Sequence, residues 1–260
     1  MLPNLNIPSI TIFGPVKIHP FGAIVALALI IGYNLALRHA KKAGLNLEIM
    51  GTTAIWAAVI GFVISHFFWA VFYNYNLVKE DPLILLMIWR GISSYGGFFG
   101  GALGAWIALK REKTRPDPYP YFEALLFGLL PAWAIARTGC TIAFDHPGRV
   151  TNFVLGMADM DGIVRHNLGF YEMLWTVVLV IVLYSLKNYR PFRGFPFALV
   201  FLSYSSVRFF LDSLRIGDRL YWGYTPGQYF SVIVFGIGLW IVWKGIRSKG
   251  STQDTARSTQ

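Results

Sequence analysis

The sequence predicts an all-α integral membrane protein of about seven transmembrane helices, with its amino terminus outside and its carboxyl terminus in the cytoplasm. Three observations carry that expectation. Of 260 residues, 55% are apolar, 17% aromatic and only 14% charged, whereas a soluble domain has about 25% charged side chains. The apolar residues fall in runs of roughly 17 to 22, the length at which a helix crosses a bilayer core. Lys and Arg are spread unevenly between alternate loops, as the positive-inside rule requires of a multi-pass protein. A soluble globular domain is excluded, because no polar outer layer could be built from this composition.

The elements follow in chain order. The first 16 residues contain no Lys or Arg and are broken by Pro3, Pro8 and Pro15. No charged secretory region therefore precedes the first span, which is expected to stay in the mature protein. Spans are expected over 18–37, 50–73, 91–109, 121–142, 170–186, 195–214 and 226–243. All should be helices, since lipid offers no partners to unpaired backbone groups and the alternation of a membrane barrel is missing. The long outer loop at 143–169 exceeds an ordinary connection and is a functional candidate. Residues 1–247 read as a single membrane domain, and the polar stretch 248–260 as a disordered cytoplasmic tail.

Twenty-three basic and thirteen acidic residues give a net charge of +10. With Arg137 and Arg208 placed inside spans, fourteen Lys and Arg fall on the cytoplasmic side and seven on the outer side. The charge is thus a topology signal and an attraction to anionic lipid, not a nucleic-acid patch. Cys140 is the single cysteine and cannot form an intramolecular disulfide.

Several residues carry chemistry. Arg137 lies in a run that is otherwise apolar from Ala124 onward, and an arginine at that depth marks a site by default; the alternative is that it snorkels to the outer interface. Gly139 close by would let a headgroup approach the backbone. Tyr204, Arg208 and Asp212 share one helix face at i, i+4 and i+8, with Arg215 three residues on. One reading is an ion pair that only locks helices. The other is that Asp212 orients one arginine while another binds an anion through its planar fork.

The segment 90–101 holds five glycines, among them Gly96 and Gly97 beside Tyr95. It suits close approach of a helix or a headgroup, and a plain packing seam is the alternative. The outer loop opens with Asp145, His146, Gly148 and Arg149 and closes with Arg165, His166, Tyr171 and Glu172. Histidines and arginines beside carboxylates suit acid–base work next to an anion, and a solvated polar loop is the alternative. The histidine spacing matches no zinc pattern, so no metal and no cofactor are assigned.

These motifs resemble the phosphatidylglycerol-prolipoprotein diacylglyceryl transferase family, over roughly residues 18–243. His19-Pro20-Phe21-Gly22 is similar to the family's His-Trp-Tyr-Gly, and Ser94-Tyr95-Gly96-Gly97 to its Ser-Phe-His-Gly-Gly. The stretch from Arg137 to Gly148 is similar to Arg-x-Gly-Asn-Phe-x-Asn-Gly-Glu-x-x-Gly, with Ala143-Phe144-Asp145 at Asn-Gly-Glu. Arg165-His166 with Tyr171-Glu172, the Tyr204-Arg208-Asp212-Arg215 face and Gly227-Gln228 also align.

The resemblance implies a bacterial inner-membrane enzyme whose active site faces outward. Its partners would be phosphatidylglycerol, prolipoprotein signal peptides and membrane lipid, with no nucleic acid and no cofactor. Attack by a lipobox cysteine thiol on the glyceryl carbon bearing the phosphate would release glycerol 1-phosphate. Arg137 would bind the lipid phosphate. Arg208 would be catalytic; the family's histidine before Gly-Gly does not carry over, since Tyr95 stands in its place, and His146 is read as the substitute acceptor of the thiol's proton, with Tyr95 the other candidate. Gly96, Gly97, Gly139, Asp145, Gly148, Arg165, His166, Tyr204, Asp212 and Arg215 would line the substrates. A divergent paralogue with another acceptor is the first alternative. An anion transporter is the second, and it calls for inverted repeats and broken helices that the sequence does not show.

Overall fold

In the computed structural model, long apolar runs become helices because every backbone group can be paired within its own segment. The structure describes Leu2, Ile7 and residues 10–13, 16–88 and 90–258. Pro3, Pro8 and Pro15, used in the sequence reading above, lie outside the described residues. The helices are α1 (Pro20–Lys42), α2 (Leu47–Phe68), α3 (Tyr75–Glu80), α4 (Ser94–Arg111), α5 (Pro118–Ala143), α6 (Leu168–Ser185), α7 (Phe195–Asp212) and α8 (Pro226–Ser258).

Among the described residues, six helices are long and apolar enough to cross a membrane: α1, α2 with its π-helical extension to Tyr73, α5, α6, α7 and α8 as far as Ser248. The third expected span is present as the 18-residue helix α4, but its glycines lower its hydropathy and it does not belong to the six. The protein is mostly helical, as an all-α membrane protein should be, and short strands lie outside the spans. A hairpin of β1 (Ile10–Phe13) and β2 (Val16–Ile18) precedes α1, and a three-stranded antiparallel sheet, ordered β3-β5-β4, is built from β3 (Pro147–Val150), β4 (Met157–Ala158) and β5 (Val164–Asn167). Beyond Ser248 the helix α8 runs on to Ser258, over residues for which composition predicts disorder. Backbone pairing propagates from an established helix more easily than it nucleates.

The chain divides into two compact units. One contains Val25–Ala132 and Gly217–Pro226. Here α2 and α4 pack along a glycine stripe. A Cβ on Gly96 would stand 2.6 Å from Phe68 Cβ, one on Gly100 2.8 Å from the Ile60 carbonyl oxygen, and one on Gly104 would collide with the Trp56 carbonyl. Gly97 lies off that stripe, with only Ser65 nearby, at 3.8 Å. Such approach of backbones is what small residues provide in a bilayer, where burial of apolar surface gives helices little reason to associate. The start of α4 is tied to α2 by Ser65, whose hydroxyl donates to the Ser93 carbonyl at 2.8 Å.

The other unit contains Met1–Ile24, Trp133–Ile216 and Gly227–Gln260, and it positions the charged side chains. Gly169 lets the first turn of α6 lie on the end of α5, since its Cβ would stand 3.0 Å from Cys140 Cβ. Asn167 caps α6 by accepting from the Phe170 amide at 3.1 Å. Strand β3 is fastened to the end of α7, with the Arg149 amide donating to the Leu214 carbonyl at 2.9 Å. Gly148 makes this fit possible, because a Cβ there would sit 2.8 Å from His166 Cβ.

Candidate active site

The site grows from three helices of one unit. Helix α5 contributes Trp133, Arg137 and Cys140 at spacings of four and three, so they share a face. Helix α6 contributes Glu172 from its first two turns. Helix α7 contributes Tyr204, Arg208 and Asp212, with Arg215 just beyond its end. Arg137 is 1% exposed, Arg208 4%, and Glu172 and Asp212 1% each. Arg137 therefore does not snorkel.

Glu172 is the hinge of the arrangement. One of its carboxylate oxygens pairs with Arg137 and the other with Arg208. Arg208 also reaches Asp212 Oδ1 at 3.0 Å, and Arg215 stands 4.0 Å from the same oxygen. Tyr204 donates its hydroxyl hydrogen to Glu172 at 3.2 Å, and Trp133 Nε1 donates to the Tyr204 hydroxyl oxygen at 3.2 Å. The Arg137 guanidinium lies 4.5 Å from the centroid of the Trp133 ring, a cation–π contact that strengthens as water is excluded. Gly227 completes the fit, since any Cβ there would overlap the Asp212 carboxylate. Removing one partner from a buried ion network leaves an uncompensated charge and typically costs about 3–5 kcal/mol. The arginines are thus held in place by the Glu172 and Asp212 carboxylates.

At the end of α5 the chain turns back on itself. Phe144 takes φ 49°, a left-handed conformation uncommon for a bulky side chain. The turn returns Asp145 and His146 toward Cys140, and a thiol sulfur, a carboxylate oxygen and an imidazole nitrogen from these three lie within 4.8 Å of one another. Arg137 donates to Cys140 Sγ at 3.3 Å. His146 Nε2 is 3.7 Å from Asp145 Oδ1. Burial first, and then the Arg215, Arg137 and Arg208 guanidiniums, hold His146 well below the ordinary imidazole range. Its ring is therefore neutral at physiological pH, with a lone pair to offer.

Of the other residues singled out in the sequence, Arg165 and His166 belong to the loop between α5 and α6. Arg165 pairs with Asp159 at 3.4 Å and Asp161 at 2.9 Å, which closes the turn between β4 and β5. His166 Nδ1 meets the Tyr171 hydroxyl at 3.0 Å and its ring packs by Phe153, and burial lowers its proton affinity. Gly139 faces Phe21 and Ile24 of α1, to which a Cβ would stand 3.2 and 3.5 Å. Tyr95, Gly96 and Gly97 belong to the other unit, Tyr95 being 5% exposed.

The central place of Glu172 is not evident from sequence pattern, where it reads as the end of a loop motif. The available signal is a carboxylate five residues into an apolar helix, which calls for a buried cation. Cys140 is likewise overlooked when cysteines are weighed only for disulfides, although it stands one turn beyond Arg137.

The model of the prolipoprotein diacylglyceryl transferase family matches residues 8–244, nearly the whole chain. The chain belongs to the prolipoprotein diacylglyceryl transferase family. Among its relatives, the phosphatidylglycerol–prolipoprotein diacylglyceryl transferase of Staphylococcus haemolyticus (strain JCSC1435) is 27% identical over 257 residues, covering 93% of this chain and 90% of that one. The protein of the same name from Halalkalibacterium halodurans is 26% identical over 254 residues, covering 91% and 85%. In this member of the transferase family, the arginines and the bridging glutamate are gathered on α5, α6 and α7.

Proposed function

We propose that this chain transfers the diacylglyceryl group of phosphatidylglycerol to the cysteine thiol of a prolipoprotein, in the bacterial inner membrane with its active site facing outward. The single observation that carries the reading is the buried Arg137–Glu172–Arg208–Asp212 network in a chain of this family. Charged groups inside a membrane helix bundle are costly and mark functional sites. Two guanidiniums that share one carboxylate suit a phosphodiester, whose oxygens accept from the same planar forks.

In the reaction the acceptor sulfur bonds to the glyceryl carbon that carries the phosphate. The carbon–oxygen bond breaks, its electron pair stays on the phosphate oxygen, and glycerol 1-phosphate leaves. Arg137 holds the lipid phosphate, and Arg208, oriented by Asp212 and Glu172, neutralises charge that builds on the leaving group. Fixed donors of this kind usually outweigh proton transfer. The neutral imidazole of His146 accepts the thiol proton, because a thiol of pKa about 8.5 is mostly protonated at neutral pH. Tyr95, Gly96 and Gly97 are proposed to act on the headgroup on the strength of the resemblance, and Arg165 and His166 to shape the loop near the entering peptide.

Purified protein incubated with phosphatidylglycerol and a lipobox peptide should yield, by mass spectrometry, a peptide carrying one diacylglyceryl group. Absence of that adduct from folded protein would refute the reading. Failure to complement a transferase-depleted strain despite adduct formation in vitro would point instead to a different natural acceptor. The outward placement rests on the charge count, and reporter fusions after Arg115 and Lys249 should read as cytoplasmic, with one near Asp159 external. A cytoplasmic signal near Asp159 would reverse it.

A further inference from the structure

We infer that Trp175 of α6 is a positioning residue for the lipid substrate, its indole N–H donating to an acyl ester carbonyl of the diacylglyceryl group. The inference rests on the transfer reaction proposed above and names a part of the lipid that is held besides its phosphate. It starts from one atom. Trp175 Nε1 is buried and has no hydrogen-bond partner among the described residues. An indole nitrogen donates and does not accept, and inside a helix bundle in lipid no bulk water can meet it. A buried donor left unmet is costly and asks for an acceptor.

Its position narrows what that acceptor is. Trp175 follows Glu172 by three residues, which puts it roughly 4.5 Å further along α6, away from the loop that precedes the helix. Glu172 marks the level of the charged network through its pairs with Arg137 and Arg208. One turn on, the groups are neutral. Thr176 donates its hydroxyl hydrogen to the Glu172 carbonyl at 2.6 Å, so that donor is met within the helix, whereas Trp175 Nε1 is not. Around the axis, Trp175 stands on a border. Glu172, Thr176 and Leu179 form the buried face, and Leu174, Val178 and Ile181 are exposed to the lipid side. Met173, about 160° around the helix from Trp175, meets Thr138 of α5 at 3.5 Å. Trp175 is therefore on the flank away from α5, half-buried, with its nitrogen on the covered side. A lipid whose phosphate reaches the arginines would bring its glyceryl backbone past such a flank.

A glycerophospholipid offers the matching pattern of acceptors. Its phosphate is anionic, and its two acyl esters are neutral and only a few covalent bonds away. Guanidiniums suit the first, through charge-assisted hydrogen bonds. An uncharged N–H one turn further into the apolar run suits the second. The ester carbonyl takes no part in bond breaking, and it is present in the bound lipid, in the transition state and in the diacylglyceryl peptide alike. A contact of that kind strengthens binding uniformly, so it lowers KM and leaves kcat nearly alone.

The test compares dioleoyl phosphatidylglycerol with its dialkyl ether analogue, which keeps the phosphate and both chains but lacks the carbonyls. The full chain in detergent is used, as wild type and as Trp175→Phe, which keeps an aromatic ring and removes the N–H. With the ester lipid and a lipobox peptide, Trp175→Phe should raise KM about 3-fold to 10-fold, the range for one net hydrogen bond, with kcat little changed. Wild type should lose the same factor on the ether lipid, and Trp175→Phe should treat the two lipids alike. A second readout needs no turnover. With 15N-labelled indoles, the resonance missing from Trp175→Phe belongs to Trp175, and in wild type it should move downfield on adding the ester lipid and stay in place with the ether lipid. An unchanged KM in the monodisperse variant would overturn the inference. So would a variant that still discriminates ester from ether as wild type does, or a Trp175 resonance that does not distinguish the two lipids. Adduct formation by wild type is scored apart. A resonance shift specific to the ester lipid without adduct would refute the transfer reading and support the ester contact, and adduct without that shift would do the reverse.

Discussion

The α2–α4 seam and the α5–α6–α7 cluster are both buried meetings of helices, yet they are built from opposite materials. In the seam, Gly96, Gly100 and Gly104 bring backbones so close that a single Cβ would collide. In the cluster, Arg137, Arg208, Glu172 and Asp212 keep large charged side chains almost wholly out of solvent. Close packing of small residues is a cheap way to hold helices together in lipid. Buried ion networks are not, because replacement by apolar groups is often neutral or stabilising. The lesson is that Gly100 and Gly104 of the seam are explained by packing alone, whereas the cluster needs a function to account for it.

That contrast can be broken by substitution. The largest expected effect is at the cluster. Arg208→Ala should lower turnover by at least about 1,000-fold, the upper range for loss of one fixed donor to a developing charge, and kinetics with the lipobox peptide would measure it. It should also lower stability, since Glu172 and Asp212 lose a shared partner. Next comes His146→Gln, which should cost about 100-fold, a typical general-base contribution. Part of that loss should return as the assay pH rises toward the ordinary thiol range, where the acceptor ionises unaided. Tyr95→Phe should be mild in the same assay. Tyr95→Phe inactive with His146→Gln active would transfer the proton-accepting role to the tyrosine. The smallest effect on chemistry belongs to the seam. Gly100→Leu should destabilise by about 1–3 kcal/mol, as overpacking does, seen as a lower midpoint in thermal unfolding. Turnover per folded molecule should stay near normal. A seam variant that is stable but inactive would erase the distinction between the two regions.

Much of the fold is legible in the sequence because hydropathy and helix length are both set by the bilayer. Arg137, Arg208 and Asp212 are legible for the same reason, since a charge in an apolar run stands out. What escapes has local causes. The glycines of α4 dilute the apolar signal of that helix. The strands β3–β5 belong to a polar loop where no lipid forces a periodicity. Glu172 follows a loop motif so closely that its depth in α6 is not apparent. The meeting of Cys140, Asp145 and His146 turns on a left-handed phenylalanine, and nothing in a phenylalanine's chemistry announces that conformation.

The central claim is that buried arginines act on the lipid phosphate, and Arg137 tests it most directly. Binding of phosphatidylglycerol and formation of the diacylglyceryl peptide should be followed together for wild type, Arg137→Ala and Arg137→Lys. The account predicts that Arg137→Ala loses both and that Arg137→Lys restores little, because an ammonium cannot reproduce the planar fork. Near-normal lipid binding and adduct formation by folded Arg137→Ala would contradict it.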